Sequence, residues 1–236
     1  MNGERLNLRE NQPFKGLKCE IQIRSVLQHA WAEIEHDLGY KSEITIPKNI
    51  RRNFSRLAGM LEIADKEFQE IRESLTTYKA EVTEKIEDNK LLDVEIDAIS
   101  LEAFTKADKN IIKINTIIEE LFGKALDEDL PADEFEHTIK QLHWFGVYTM
   151  DQLPDFIEKN SEHAVNIAKK LIKKDPCGDY TVPITIALFY LCYAELLMRH
   201  DTMEPLVEYL ETNNIGRDFH DTATQLLQIR NDLNMV

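Results

Sequence analysis

From Ile50 to Val82 the chain places an apolar residue at alternating intervals of four and three: Ile50, Phe54, Leu57, Leu61, Ala64, Phe68, Ile71, Leu75, Tyr78 and Val82. A strand cannot use this spacing, because strand side chains change face at every residue. The pattern is a heptad seam, and it commits this stretch to one long helix whose apolar edge needs a partner. Two partners are open: a second copy in an oligomeric coiled coil, or a later helix of the same chain. The segment Val94 to Phe122, rich in isoleucine at helical spacing, supplies the second. The intramolecular hairpin is preferred because that partner follows directly in sequence.

The remaining helices are read from shorter patterns. Ser25 is a candidate N-cap for a helix carrying Val26, Leu27, Ala30, Trp31, Ile34 and Leu38 on its apolar side, with Gly39 as its stop. A short extended piece, Ile44-Thr45-Ile46, leads to Pro47, well placed to open the long helix. Beyond the acidic, proline-bearing stretch Leu126–Pro131, helices are expected near Asp133–Trp144, after a Thr149 cap, from Ser161, and near Pro183–Arg199, Met203–Glu211 and Arg217–Leu233. The apolar run Val182 to Met198 contains Pro183, two tyrosines and Glu195, so it reads as a buried central helix rather than a membrane span. No repeat of fixed period is apparent. The fold class expected is therefore mainly α, with one or two short N-terminal strands. The expected parts are a remnant at 1–46, a long helical hairpin at 47–126 and a C-terminal helical domain at 132–236.

A formal charge of −15 argues against DNA or an anionic membrane as the main partner, since phosphate backbones demand a basic surface. Lys169, Lys170, Lys173 and Lys174 form a local basic patch, but they also sit where cations complement a helix C-terminus. Three scattered cysteines, Cys19, Cys177 and Cys192, fit neither a disulfide framework nor a zinc site, and suit a reducing, cytoplasmic setting. The opening residues Met1–Leu6 lack the apolar run of a signal peptide. Walker, GxGxxG and GxSxG motifs are absent. His-Asp pairs at His36-Asp37, His200-Asp201 and His220-Asp221 invite a metal-dependent phosphohydrolase reading, but two of them fall at helix ends, where Asp caps and His is solvated.

Chemical density is highest near the start. Glu20, Gln22 and Arg24 alternate with Ile21 and Ile23, as in a half-buried strand spanning Leu17 to Arg24. Successive same-face side chains would stand about 7 Å apart. A carboxylate, an amide and a guanidinium would then project together, a set suited to a metal, a hydroxyl and a phosphate. Read without any relative, the same trio is an exposed strand face making surface pairs. A lone strand would leave backbone groups unpaired, so it would pair with residues 4–10 or another chain, or else refold.

Glu20-Ile21-Gln22-Ile23-Arg24-Ser25, then Gln28-His29-Ala30-Trp31-Ala32-Glu33-Ile34-Glu35-His36-Asp37-Leu38-Gly39-Tyr40-Lys41, closely resembles the last motif of the RelA/SpoT-type alarmone synthetases. Pro47 and Arg51–Gly59 continue the likeness, which covers roughly residues 10–80. The resemblance implies a GTP pyrophosphokinase, a transferase of the stringent response. It would move the β,γ-pyrophosphate of ATP to the 3′-hydroxyl of GDP or GTP, giving (p)ppGpp, with Mg²⁺ as cofactor. By the same resemblance Glu20 binds Mg²⁺ or activates the hydroxyl, and Gln22 and His29 face the guanine nucleotide. Arg24 is a phosphate-side or structural cation; His36, Tyr40 and Lys41 support the site, with Trp31 and Tyr40 packing first. Ser25 stands where the family usually has Thr, a change that keeps the cap.

The family's earlier motifs should precede this one: a basic ATP-binding helix, Asp-x-x-Gly-x-Arg and Tyr-x-Ser-x-His. Residues 1–18 contain none of them. The expectation is a partial synthetase domain, inactive alone, with Glu20 sharing Mg²⁺ with residues outside this chain and a helical extension that regulates, oligomerises or binds a protein partner. The alternative is a non-enzymatic member acting as a nucleotide-responsive or protein-interaction module.

Overall fold

The computed structural model describes residues 8–14, 17–18, 20–40, 47–128, 130–172 and 181–235. The protein is mainly α, as the helical spacing predicts. In chain order the helices are α1 (Val26–Tyr40), α2 (Lys48–Glu87), α3 (Ala98–Ala107), α4 (Lys109–Phe122), α5 (Ala132–Trp144), α6 (Leu153–Leu171), α7 (Ile186–Arg199), α8 (Met203–Thr212) and α9 (Phe219–Asp232). Short 3₁₀ turns occupy Arg9–Phe14 and Met150–Gln152. Two compact units divide the chain, residues 1–75 and 76–236.

The heptad seam does become one helix, 40 residues long. Pro47 precedes it, and the Pro47 carbonyl accepts the Arg51 N–H at 3.0 Å, so the proline stands at the helix entry without costing a hydrogen bond. Gly39 does not stop α1, which runs one residue further to Tyr40. Among the described residues of Leu17 to Arg24 the expected strand does not form. Residues 17–18 and 20–25 are irregular, and Arg9–Phe14 turn as 3₁₀ rather than pairing with them. Ile21 is 79% and Ile23 91% exposed. Alternation makes a strand only where a second strand takes up its backbone groups and a core takes one face; neither is present among the described residues. Ile44-Thr45-Ile46 lies outside those residues.

In the unit 1–75 no described residue is buried. In the unit 76–236 the last turns of α2 bury Val82 and Ile86, and the Tyr78 hydroxyl donates to Asp97, the N-cap of α3. Burial and that carboxylate raise the Tyr78 pKa to about 12. The stretch 94–122 is not one helix but two. Asp108 ends α3, its N–H bonding the Phe104 carbonyl, and opens α4, its carboxylate accepting from Asn110 and Ile111 N–H at 2.9 Å each. Gly123, at φ 75°, closes α4 in the left-handed conformation glycine tolerates best.

α7 is the centre of this unit. Ala187, Leu188 and Tyr190 through Leu197 are all buried, so the apolar run is a core helix, as expected. No helix among the described residues is long and apolar enough to cross a membrane. Asn115 on α4 fixes the entry to α7: its amide donates to the Ile184 carbonyl at 2.8 Å and its oxygen accepts from Ala187 N–H. Isolated bridges join Asp127 to Pro183 and Glu95 to Thr149. Ser161 does not start a helix. It lies within α6 and its hydroxyl returns to the Ile157 carbonyl four residues back, so a residue that favours caps is accommodated mid-helix. Lys173 and Lys174 lie outside the described residues. Lys170 pairs with Asp232 at 3.1 Å.

Candidate functional site

The site is built on the irregular segment 20–25 and on α1. Ser25 joins them. Its hydroxyl accepts from Gln28 N–H at 3.0 Å, while the Gln28 side-chain oxygen accepts from Ser25 N–H at 3.3 Å, a reciprocal capping box. The same hydroxyl donates to the Asp65 carboxylate on α2 at 2.6 Å. Fifteen residues of helix are thus pinned at their first turn. Near the other end of the contact Trp31 lies against Phe54, ring centroids 5.4 Å apart. α1 therefore runs antiparallel to the part of α2 between Phe54 and Asp65.

That docking sets what α1 presents. Trp31 is half-buried, as its packing role requires, whereas His29, Glu33 and His36 are exposed. Residues four and seven apart share one helix face, so these three project together on the side away from Trp31. In the preceding segment the Gln22 amide donates to the Glu20 carboxylate at 3.3 Å, and both groups are exposed. Arg24 is exposed as well and makes no hydrogen bond to that pair, and neither does His29. The structure thus brings Glu20 and Gln22 together, holds His29 and His36 on one face, and leaves Arg24 on the segment between. For Tyr40 only its place at the last position of α1 is described, and Lys41 and Cys19 lie outside the described residues.

The fit to Mg²⁺ follows from the donor set. A magnesium ion takes near-octahedral oxygen ligands, few of them from protein and the rest from water and phosphate. Among the described residues no three His, Cys, Asp or Glu side chains gather, and Glu20 offers one carboxylate already bonded to an amide. These residues alone do not hold the ion. Of the His-Asp pairs, His200 is the C-cap of α7 and Asp221 lies in the first turn of α9.

Over 71 residues the chain is 34% identical to GTP pyrophosphokinase YjbM of Bacillus subtilis. The match takes in 30% of this chain and 34% of that protein, so the chain spans about a third of the relative's length. No family model matches the chain, and no solved structure matches it. Sequence similarity to a GTP pyrophosphokinase therefore rests on a limited stretch.

Asp65 was not legible as part of this arrangement. It flanks the seam as one acidic residue among many, and only the docking of α1 makes it the anchor of Ser25. The available signal was its position one residue after Ala64 of the seam, on the flank that a neighbouring helix covers.

Proposed function

We propose that the N-terminal part of this chain is the closing portion of a RelA/SpoT-type synthetase domain, and that Glu20, Gln22, Arg24 and His29 form one wall of a guanine-nucleotide site. The observation that carries the reading is the 34% identity to a GTP pyrophosphokinase across 71 residues. The exposed, adjacent placement of Glu20 and Gln22 and the outward face of α1 are compatible with it.

In this reading Gln22 and His29 hydrogen-bond the guanine nucleotide, since an amide and an imidazole each offer both donor and acceptor. Arg24 faces phosphate, where a planar guanidinium binds bidentately. Glu20 lies beside the 3′-hydroxyl, where a carboxylate can accept its proton. His36, Tyr40 and Lys41 support the wall. Any Mg²⁺ would be shared with nucleotide phosphates and with acidic residues other than these. Ser25 positions the wall through Asp65 and does not touch nucleotide.

Because the Asp-x-x-Gly-x-Arg and Tyr-x-Ser-x-His motifs are missing from this sequence, the chain by itself is expected to make no (p)ppGpp from ATP and GDP. It is expected to bind GDP weakly, with Gln22→Ala and His29→Ala each reducing the affinity about five- to tenfold, the loss of one nucleotide hydrogen bond. Calorimetry with GDP and a labelled-ATP turnover assay make the check. Robust synthesis would overturn the partial-site reading, and no GDP binding at millimolar concentration would leave a protein-interaction module in its place.

A further inference from the structure

In the unit 76–236, α4 and α6 pack against each other and leave an open groove of about 380 Å³ between them. Its floor is apolar: Ile114 of α4 is buried, and Ile117 and Val165 are half-buried. Its rim carries Asn110 and Lys113 of α4 and Glu162, Asn166 and Lys169 of α6. Among the described residues none of these five side chains makes a hydrogen bond or an ion pair. The two lysines set the groove apart. Elsewhere Lys66, Lys106 and Lys140 each pair with a glutamate four residues away on the same helix, at 3.4, 3.0 and 3.8 Å. Around Lys113 and Lys169 no position three or four residues away is acidic, and each has a lysine at one of them, Lys109 and Lys173. Like charges at that spacing destabilise a helix. Lys169 lies in the last turn of α6, where a cation complements the helix end. Lys113, in the second turn of α4, has no such compensation. In a chain of charge −15, two cations without an acid partner thus share one groove.

We propose that this groove binds a small phosphate monoester borne on a hydroxylated ring, the chemistry shared by sugar phosphates and mononucleotides. Lys113 and Lys169 take the phosphate, because an ammonium is a compact point charge with three donors and no acceptor. Asn110 and Asn166 each offer donors and an acceptor, and the Glu162 carboxylate only accepts, so these three suit the hydroxyls of the ring. Ile114, Ile117 and Val165 take the ring's apolar face. An apolar floor with a few polar groups around it, at this volume, is the usual form of a small-molecule site. A bare anion would leave that floor unused. A nucleic-acid strand is disfavoured by the overall charge. The groove lies wholly in the unit 76–236, and the inference does not rest on the guanine-nucleotide reading of Glu20, Gln22, Arg24 and His29.

Amide chemical shifts of the isotope-labelled full chain, titrated with ribose 5-phosphate, adenosine 5′-monophosphate or inorganic phosphate, test it. Either ester is expected to give saturable shifts within 110–117 and 161–169, half complete at about 0.1–1 mM. Inorganic phosphate should bind about fivefold more weakly, since it makes no contact with the floor. Tighter binding of the nucleotide than of the sugar phosphate supports a base on the floor, and equal binding supports the sugar there. Lys113→Gln/Lys169→Gln should weaken either ester about tenfold, the loss of two charge-assisted contacts at exposed positions. Lys85→Gln/Lys109→Gln removes the same charge outside the groove and should leave the affinity unchanged. All four lysines are exposed, so both double variants should keep the far-ultraviolet helix signal. The proposal is overturned by an absence of saturable shifts up to about 10 mM ester. Shifts confined to residues 20–36 overturn it too, because they report the N-terminal segment instead. So do equal affinity for inorganic phosphate, unchanged binding by Lys113→Gln/Lys169→Gln, and equal weakening in the two double variants.

Discussion

Glu195 is the most deeply placed charge among the described residues, 1% exposed on the central helix α7. Its carboxylate accepts from Lys159 Nζ at 2.9 Å, Asn160 Nδ2 at 2.8 Å and Arg199 Nε at 2.7 Å. Lys159 and Arg199 keep about half of their side-chain surface in water, and Arg199 lies over the Phe145 ring at 5.3 Å. Asn160 is wholly buried, and its side-chain oxygen has no partner. An orphaned oxygen costs roughly 1–3 kcal/mol, which the amide's two donated bonds, to Phe156 and Glu195, offset. Burial alone would push the Glu195 pKa up; the three donors outweigh it and hold the group below its ordinary 4.5. A lowered folded pKa means the stabilisation is present above 4.5 and is lost as the pH falls below that value. Glu195→Ala is therefore expected to cost about 3 kcal/mol at pH 7, at the low end for a broken buried pair because both cations can rehydrate. Urea unfolding at pH 7, 5 and 3 checks it, and the deficit should shrink at pH 3. A deficit unchanged at pH 3 would mean that packing, not charge, carries the effect.

At the scale of elements, one residue often does the work of a loop. Asp108 alone separates α3 from α4, so its carboxylate caps α4 where no longer connecting segment could help. Asp108→Ala is expected to lower stability by about 1 kcal/mol, the usual cost of an N-cap, while Asp108→Asn should recover most of it; a urea midpoint equal to wild type for the alanine variant would count against the cap. This break was not legible, because Phe104, Ala107, Ile111, Ile114 and Ile118 keep a helical spacing straight through Asp108. The α2 seam was legible because a seven-residue pattern permits one conformation. The Glu20–Arg24 alternation misled, since a period of two states what a strand would look like if a partner existed, and Ile21 and Ile23 have none. Ser25 was read as a cap from its residue type alone, and the structure adds the Asp65 bond that joins the cap to α2. That bond is tertiary, so local pattern could not supply it.

For the whole molecule, the distribution of burial separates the two units more sharply than any sequence boundary. Every buried side chain among the described residues lies between Val82 and Met235. Hydrophobic burial is the main favourable term in folding, at roughly 25 cal/mol per Å². The unit 76–236 therefore holds the apolar burial that an independent fold requires, and the unit 1–75 holds helix caps and half-buried contacts instead. The Tyr78–Asp97 and Lys79–Glu102 links and the buried Val82 and Ile86 are all inside the unit 76–236, so cutting before Thr76 removes none of them. A polypeptide of residues 76–236 is expected to fold alone and to unfold in one cooperative transition, with a melting midpoint within about 5 °C of the corresponding transition of the full chain. Calorimetry of both polypeptides makes the comparison. Hydrogen exchange of the full chain gives a second reading: amides of α1 should exchange with little protection, and those of α7 should exchange only through global unfolding. A shorter polypeptide that melts without cooperativity, or α1 amides protected as strongly as those of α7 at low protein concentration, would mean that residues 1–75 contribute a core of their own.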